Sequence, residues 1–85
     1  MTLSDPDKII WRKVDGRTLV SHINSETCYA LEGSAELVWD DLVAGKNFEE
    51  IVRNLVQVYK TDTQTVAEDV RRLLDDLGKE GLINP

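Results

Sequence analysis

The sequence predicts an α+β domain in which a three-stranded antiparallel sheet is followed by three helices. Three observations point to it. Apolar residues up to Glu32 alternate or cluster as in strands, those after Ser34 recur at three- and four-residue spacing, and Asp15-Gly16 sits between the first two strand-like runs as a two-residue hairpin signal.

The first strand is expected over Ile9–Val14 and the second over Thr18–Ile23, both rich in β-branched and aromatic residues. A two-residue loop sets Val14 opposite Arg17. Trp11 then faces Val20 and Ile9 faces His22 on one side of the sheet, with Arg12 and Leu19 opposed on the other. Neither side is cleanly polar, so the pattern leaves open which one meets the helices. Asn24-Ser25-Glu26-Thr27 is a polar turn candidate, and Cys28–Glu32 completes a three-stranded meander whose last strand has one edge committed to the hairpin and the other open. Before the sheet, residues 1–8 read as a loose polar lead-in.

Helix 1 is predicted from an N-cap at Ser34 to about Ala44, with Ala35, Val38, Trp39 and Leu42 on one face and Gly45 as its stop. Helix 2 opens with Asn47 three residues before Glu50, the form of a capping box, and carries Phe48, Ile51, Val52, Leu55 and Tyr59 on a stripe. Helix 3 opens within Thr61-Asp62-Thr63 and repeats Val66, Val70, Leu73, Leu74 and Leu77, with Gly81 ending it and Leu82-Ile83 folding back as the apolar contact. Trp11, Trp39, Phe48 and Tyr59 are read as core; Tyr29 suits either the core or the flank of a groove beside the third strand.

Eighty-five residues make one domain, which buries about 60–65% of its unfolded surface. A composition 41% hydrophobic and 31% charged fits a folded soluble protein, no apolar run spans a bilayer, and the start lacks a secretory signal, so a cytoplasmic location without membrane partners is expected. The single cysteine, Cys28, forms no internal disulfide and rules out a cysteine-rich metal site. The net charge of −6 is concentrated in the helical half, where residues 34–85 carry 6 basic and 11 acidic groups, and that argues against nucleic acid as a partner.

Catalysis finds little support. His22 and Cys28 are each the only residue of their kind, and both fall on short strands without an orienting third group. Asp40-Asp41, Glu68-Asp69 and Asp75-Asp76 are helix neighbours that diverge by about 100° rather than converge on one atom, and read as solvated faces. No glycine spacing cradles a phosphate, so no cofactor is expected. An amphipathic helix beside an uncapped strand has one evident capability, the acceptance of an extended peptide as an added strand.

The ordered set Thr18 to Trp39 with Leu31 and Leu37-Val38-Trp39, then Phe48-Glu49-Glu50-Ile51, Asp69-Val70, Leu73-Leu74-Asp75-Asp76-Leu77 and Gly81-Leu82-Ile83, resembles the PqqD-like peptide chaperones, also called precursor-peptide recognition elements. The likeness covers roughly residues 9–84. Glu32 departs from it, since the family often has Asn after the strand leucine. The resemblance implies a winged-helix-like fold and a non-catalytic function, capture of the leader segment of a ribosomally made precursor peptide for a separate maturation enzyme, either a leader peptidase or a radical or other modifying enzyme. By that resemblance Cys28, Tyr29, Ala30 and Leu31 supply the pairing edge, and Asp69, Val70, Leu73, Asp76 and Leu77 line the facing wall, the leucines partly core and partly groove. The length suggests a discrete subunit, as in PqqD proteins themselves or the split leader-binding subunit of lasso-peptide systems, the latter preferred. The alternative is a winged-helix DNA-binding regulator, favoured by Arg71 and Arg72 on helix 3 and opposed by the carboxylates around them.

Overall fold

The computed structural model describes residues 2–25 and 28–84. Its elements run β1 (Thr2–Leu3), a 3-10 turn (Pro6–Lys8), β2 (Ile9–Val14), β3 (Arg17–His22), β4 (Cys28–Glu32), α1 (Ser34–Val43), α2 (Phe48–Tyr59), α3 (Thr63–Lys79) and β5 (Ile83–Asn84). The fold is α+β. β2, β3 and β4 form an antiparallel meander in that order, followed by the three helices, while β1 and β5 pair separately. Glu26 and Thr27, half of the turn expected between the second and third strands of the meander, lie outside the described residues.

Turn chemistry sets the register. Asp15 and Gly16 take φ of 50° and 78°, the doubly positive geometry that fits the twist of a two-residue hairpin. Val14 consequently opposes Arg17, Trp11 opposes Val20 and Ile9 opposes His22, as the hairpin signal requires. The face left open by the sequence is settled by burial: Ile9, Thr18, Val20 and Leu31 are buried against the helices, whereas Ile10 on the other face is 57% exposed. Val38, Trp39, Leu42, Ile51, Val52, Leu55, Val66, Val70, Leu77, Leu82 and Ile83 complete the core. Leu73, expected within it, is only partly buried.

Two aromatic expectations are corrected. Trp11 is 37% exposed and packs edge-on against the fully buried Trp39, with ring centroids 6.3 Å apart; it sits on the first strand of the sheet, where helices cover only part of its ring. Tyr59 is 49% exposed because it ends α2, where the apolar stripe runs out of the core. Asp41 also departs from the solvated reading: it is 6% exposed, accepts a hydrogen bond from Asn54 Nδ2 at 2.9 Å and pairs with Lys46 at 3.2 Å. It ties the end of α1 to α2, with its charge compensated as a buried carboxylate must be.

Helix ends follow local chemistry with one shift. Asn47 and Glu50 form the reciprocal capping box at 2.9 and 3.0 Å, and Asp62 caps α3 by accepting from the Thr65 N–H at 3.0 Å. α1 instead starts at Ser34 itself, with Gly33 at φ 60° as its N-cap and no side-chain cap bond. The lead-in is not loose: Thr2 and Leu3 pair with Asn84 and Ile83, and the Ser4 N–H donates to the Leu82 carbonyl at 3.0 Å. That ladder depends on Leu82 and Ile83 folding back after Gly81, both 3% exposed.

A polar cluster clamps the hairpin onto α1. The buried Thr18 hydroxyl donates to Glu36 at 2.9 Å, and Lys13 bridges Glu36 at 3.2 Å and Asp40 at 2.8 Å. The Glu36 carboxyl is held below its usual range, first by the Thr18 hydroxyl and then by the Lys13 ammonium. Folding therefore favours the ionised form: the stabilisation is complete above the ordinary carboxylate pKa and is lost as pH falls through the depressed folded-state value. Thr18→Val should move the Glu36 titration up toward the ordinary range in a side-chain NMR pH series. An unmoved titration would remove Thr18 as its cause.

Candidate functional site

The candidate site is the outer edge of β4 and the surface of α3 that faces it. Parity decides which β4 groups are available. On an antiparallel strand the N–H and C=O of one residue point to the same side, and successive residues alternate. The Ile23 N–H donates to the Lys8 carbonyl at 2.8 Å, and Val14 and Arg17 close the two-residue hairpin, so the odd-numbered residues of β3 bond β2. Thr18 and Val20 are left to bond their partners Leu31 and Tyr29 on β4. Cys28, Ala30 and Glu32 consequently turn their main-chain groups away from β3, and β4 pairs with no other strand among the described residues.

Of the four residues expected at the pairing edge, Cys28, Tyr29, Ala30 and Leu31, strand alternation turns one alternate pair outward, and the register says which. Cys28 and Ala30 are exposed and offer outward main-chain groups. Tyr29 and Leu31 are committed to β3, and their side chains point toward the helices, Leu31 2% exposed and Tyr29 half-buried against the core. His22 shares the helix-facing side while Cys28 lies on the opposite one, so the two do not form a nucleophile–base pair. His22 Nδ1 instead accepts from the Asn24 N–H at 3.1 Å.

Across from β4, Asp69, Val70 and Leu73 line an apolar depression of about 540 Å³ that reaches Gly33 and Ala35 beyond the end of β4. At the other end of the strand, Tyr29 shares a small cleft with Glu80, the residue that ends α3. α3 contributes to the first depression and its C-cap residue to the second, and the line between them past β4 is the candidate track. Asp76 is exposed on α3 but lines neither. The two leucines expected to be shared between core and groove are divided: Leu77 is 0% exposed and belongs wholly to the core, while Leu73, one turn earlier, is partly buried and lines the depression. Sequence reading missed Leu55, Tyr59 and Val66 as lining residues. The exposed end of the α2 stripe at Tyr59 was the available signal.

The arginines of α3 are engaged within the domain. Arg71 stacks over the Phe48 ring at 5.1 Å and Arg72 pairs with Asp69 at 3.2 Å. Among the described residues, no helix is long and apolar enough to cross a membrane.

The model of the PqqD family, described as coenzyme PQQ synthesis protein D, matches residues 17–83. The chain belongs to the PqqD family. The match spans β3, β4, all three helices and the start of β5, hence both walls of the track. Among solved structures the chain is similar to TbiB1 in complex with the TbiA(beta) leader peptide, with a TM-score of 0.86 and 31% identity over 96% of this chain and 94% of that one. No curated protein matches.

Proposed function

We propose that this PqqD-family chain is a single leader-recognition domain. It binds the leader segment of a ribosomally made precursor peptide as a strand added to the outer edge of β4, without chemistry of its own, and delivers it in the cytoplasm to a separate maturation enzyme. The observation that carries the reading is the main-chain edge at Cys28, Ala30 and Glu32, unpaired among the described residues, together with the apolar depression lined by α3. Main-chain bonds along the edge supply affinity, and pockets for alternate side chains supply selectivity. The family and the similarity to a protein solved with a leader peptide support the same assignment, and a lasso-type precursor system in particular.

Isothermal titration with the leader segment of a short precursor reading frame sought among the neighbouring genes tests the reading, and saturable one-to-one binding is expected. Absence of binding, with the domain folded by circular dichroism, would end it. Duplex DNA should not be retained at physiological salt, because the net charge is −6 and both α3 arginines already have partners within the domain. Steep salt-dependent retardation in a gel would return the DNA-binding alternative.

A further inference from the structure

The side of the sheet facing away from the helices is a surface that neither depression reaches. Strand alternation places Ile10 and Arg12 of β2, Leu19 of β3 and Ala30 of β4 there, with Ile10, Arg12 and Ala30 exposed and Leu19 half-buried. Ile10 is 57% exposed, and Ile23, whose N–H extends the β2–β3 ladder to Lys8, is 53% exposed. The charge of this face is opposite to that of the molecule. It carries Arg12 and Arg17 against Glu32 alone, and Arg17 is paired with Glu32 at 3.3 Å, which leaves Arg12 without an ion pair among the described residues. In a chain of net charge −6, that is a locally cationic face with an apolar centre.

Charge decides among the occupants. A second copy of the chain would bring Arg12 toward its own equivalent and join two acidic molecules. A partner whose apolar patch is bordered by carboxylates would bury Ile10 and satisfy Arg12 at once, and complementary charge of this kind sets both specificity and association rate. Position adds to the argument. Cys28 and Ala30 lie on this face, so a peptide strand added at β4 would carry every second side chain onto the same surface.

We infer that the outer sheet face centred on Ile10 and Arg12 is the docking site of the maturation enzyme, which meets it with an apolar patch rimmed by carboxylates. The inference rests on the leader-binding reading above. An enzyme seated there lies directly beside the captured peptide while the α3 side of the track stays free.

The test titrates a leader peptidase or modifying enzyme sought among the neighbouring genes into the full chain, wild type and the variants Ile10→Ser and Arg12→Glu, with leader affinity measured in parallel. Both positions are exposed, so the variants should fold as the wild type does by circular dichroism. Enzyme affinity should fall about tenfold or more in each while leader affinity stays unchanged, and wild-type enzyme binding should weaken with salt. Undiminished enzyme affinity in both variants, or no binding of the enzyme to the wild type, would overturn the assignment. Concentration-dependent dimerisation of the chain that Ile10→Ser abolishes would overturn it too, by giving the face to a second copy. If the leader itself fails to bind the wild type, the function proposed above fails first, independently of this face.

Discussion

Ala30→Pro should leave the domain folded and weaken leader binding by about tenfold or more, the loss of at least one main-chain hydrogen bond together with a clash of the ring against the incoming strand. Its main-chain N–H is turned away from β3, so no intramolecular bond is removed. Proline is tolerated on such an edge, and the restriction it places on the preceding Tyr29 favours the extended conformation already present. Cys28→Pro should behave likewise. Tyr29→Pro and Leu31→Pro should instead lose the cooperative thermal transition, since each deletes a bond to β3 and pushes a ring into a paired strand. Ala30→Ser keeps the N–H and should bind as the parent does. Calorimetric affinity and circular dichroism, read together on all five variants, decide the matter: full leader affinity in folded Ala30→Pro and Cys28→Pro would exclude strand addition at this edge.

The second large effect belongs to Leu77. Truncation to alanine should cost about 2–5 kcal/mol, because the side chain is fully buried and a cavity would remain. Against a typical stability of about 5–15 kcal/mol for a folded domain, that is a large share. The melting temperature should drop sharply, whereas Asp76→Lys, at an exposed position on the same helix, should leave it nearly unchanged. A Leu77→Ala variant that melts like the wild type would mean that the side chain contributes to a surface and not to the core.

How far the sequence reveals this molecule depends on the range of the interaction concerned. The β2–β3 register was legible because Asp-Gly is chemically particular about its dihedrals and a two-residue loop admits one alignment. The capping box at Asn47 and the stop at Gly81 are equally local. The packed face of the sheet was not legible, since Ile10 and Trp11 are neighbours with opposite orientations and both are apolar; only helix packing over Val20 and Leu31 tells them apart. On α3, periodicity grouped Leu73 with Leu77, yet a small rotation about the helix axis separates a residue lining the depression from a core residue. The edge of β4 was legible as an edge from its terminal place in the meander. Its division into outward and inward main-chain groups followed only once the register was known. The β1–β5 ladder left no periodic trace, because two residues are too few to show a period.

That ladder has a kinetic consequence. It joins Thr2 to Asn84, and contacts so far apart in sequence carry the largest loop-closure entropy, whereas the meander strands and successive helices meet through short connections. The ladder should therefore close last, after the transition state, with φ-values near zero for substitutions at Leu3 and Ile83 where the loss of stability is large enough to read. By the same reasoning it should open first, giving its amides the fastest native-state hydrogen exchange of any paired strand while the sheet that presents the β4 edge stays protected. The segments at Thr2–Leu3 and Ile83–Asn84 would then part and re-dock many times within the lifetime of the folded domain.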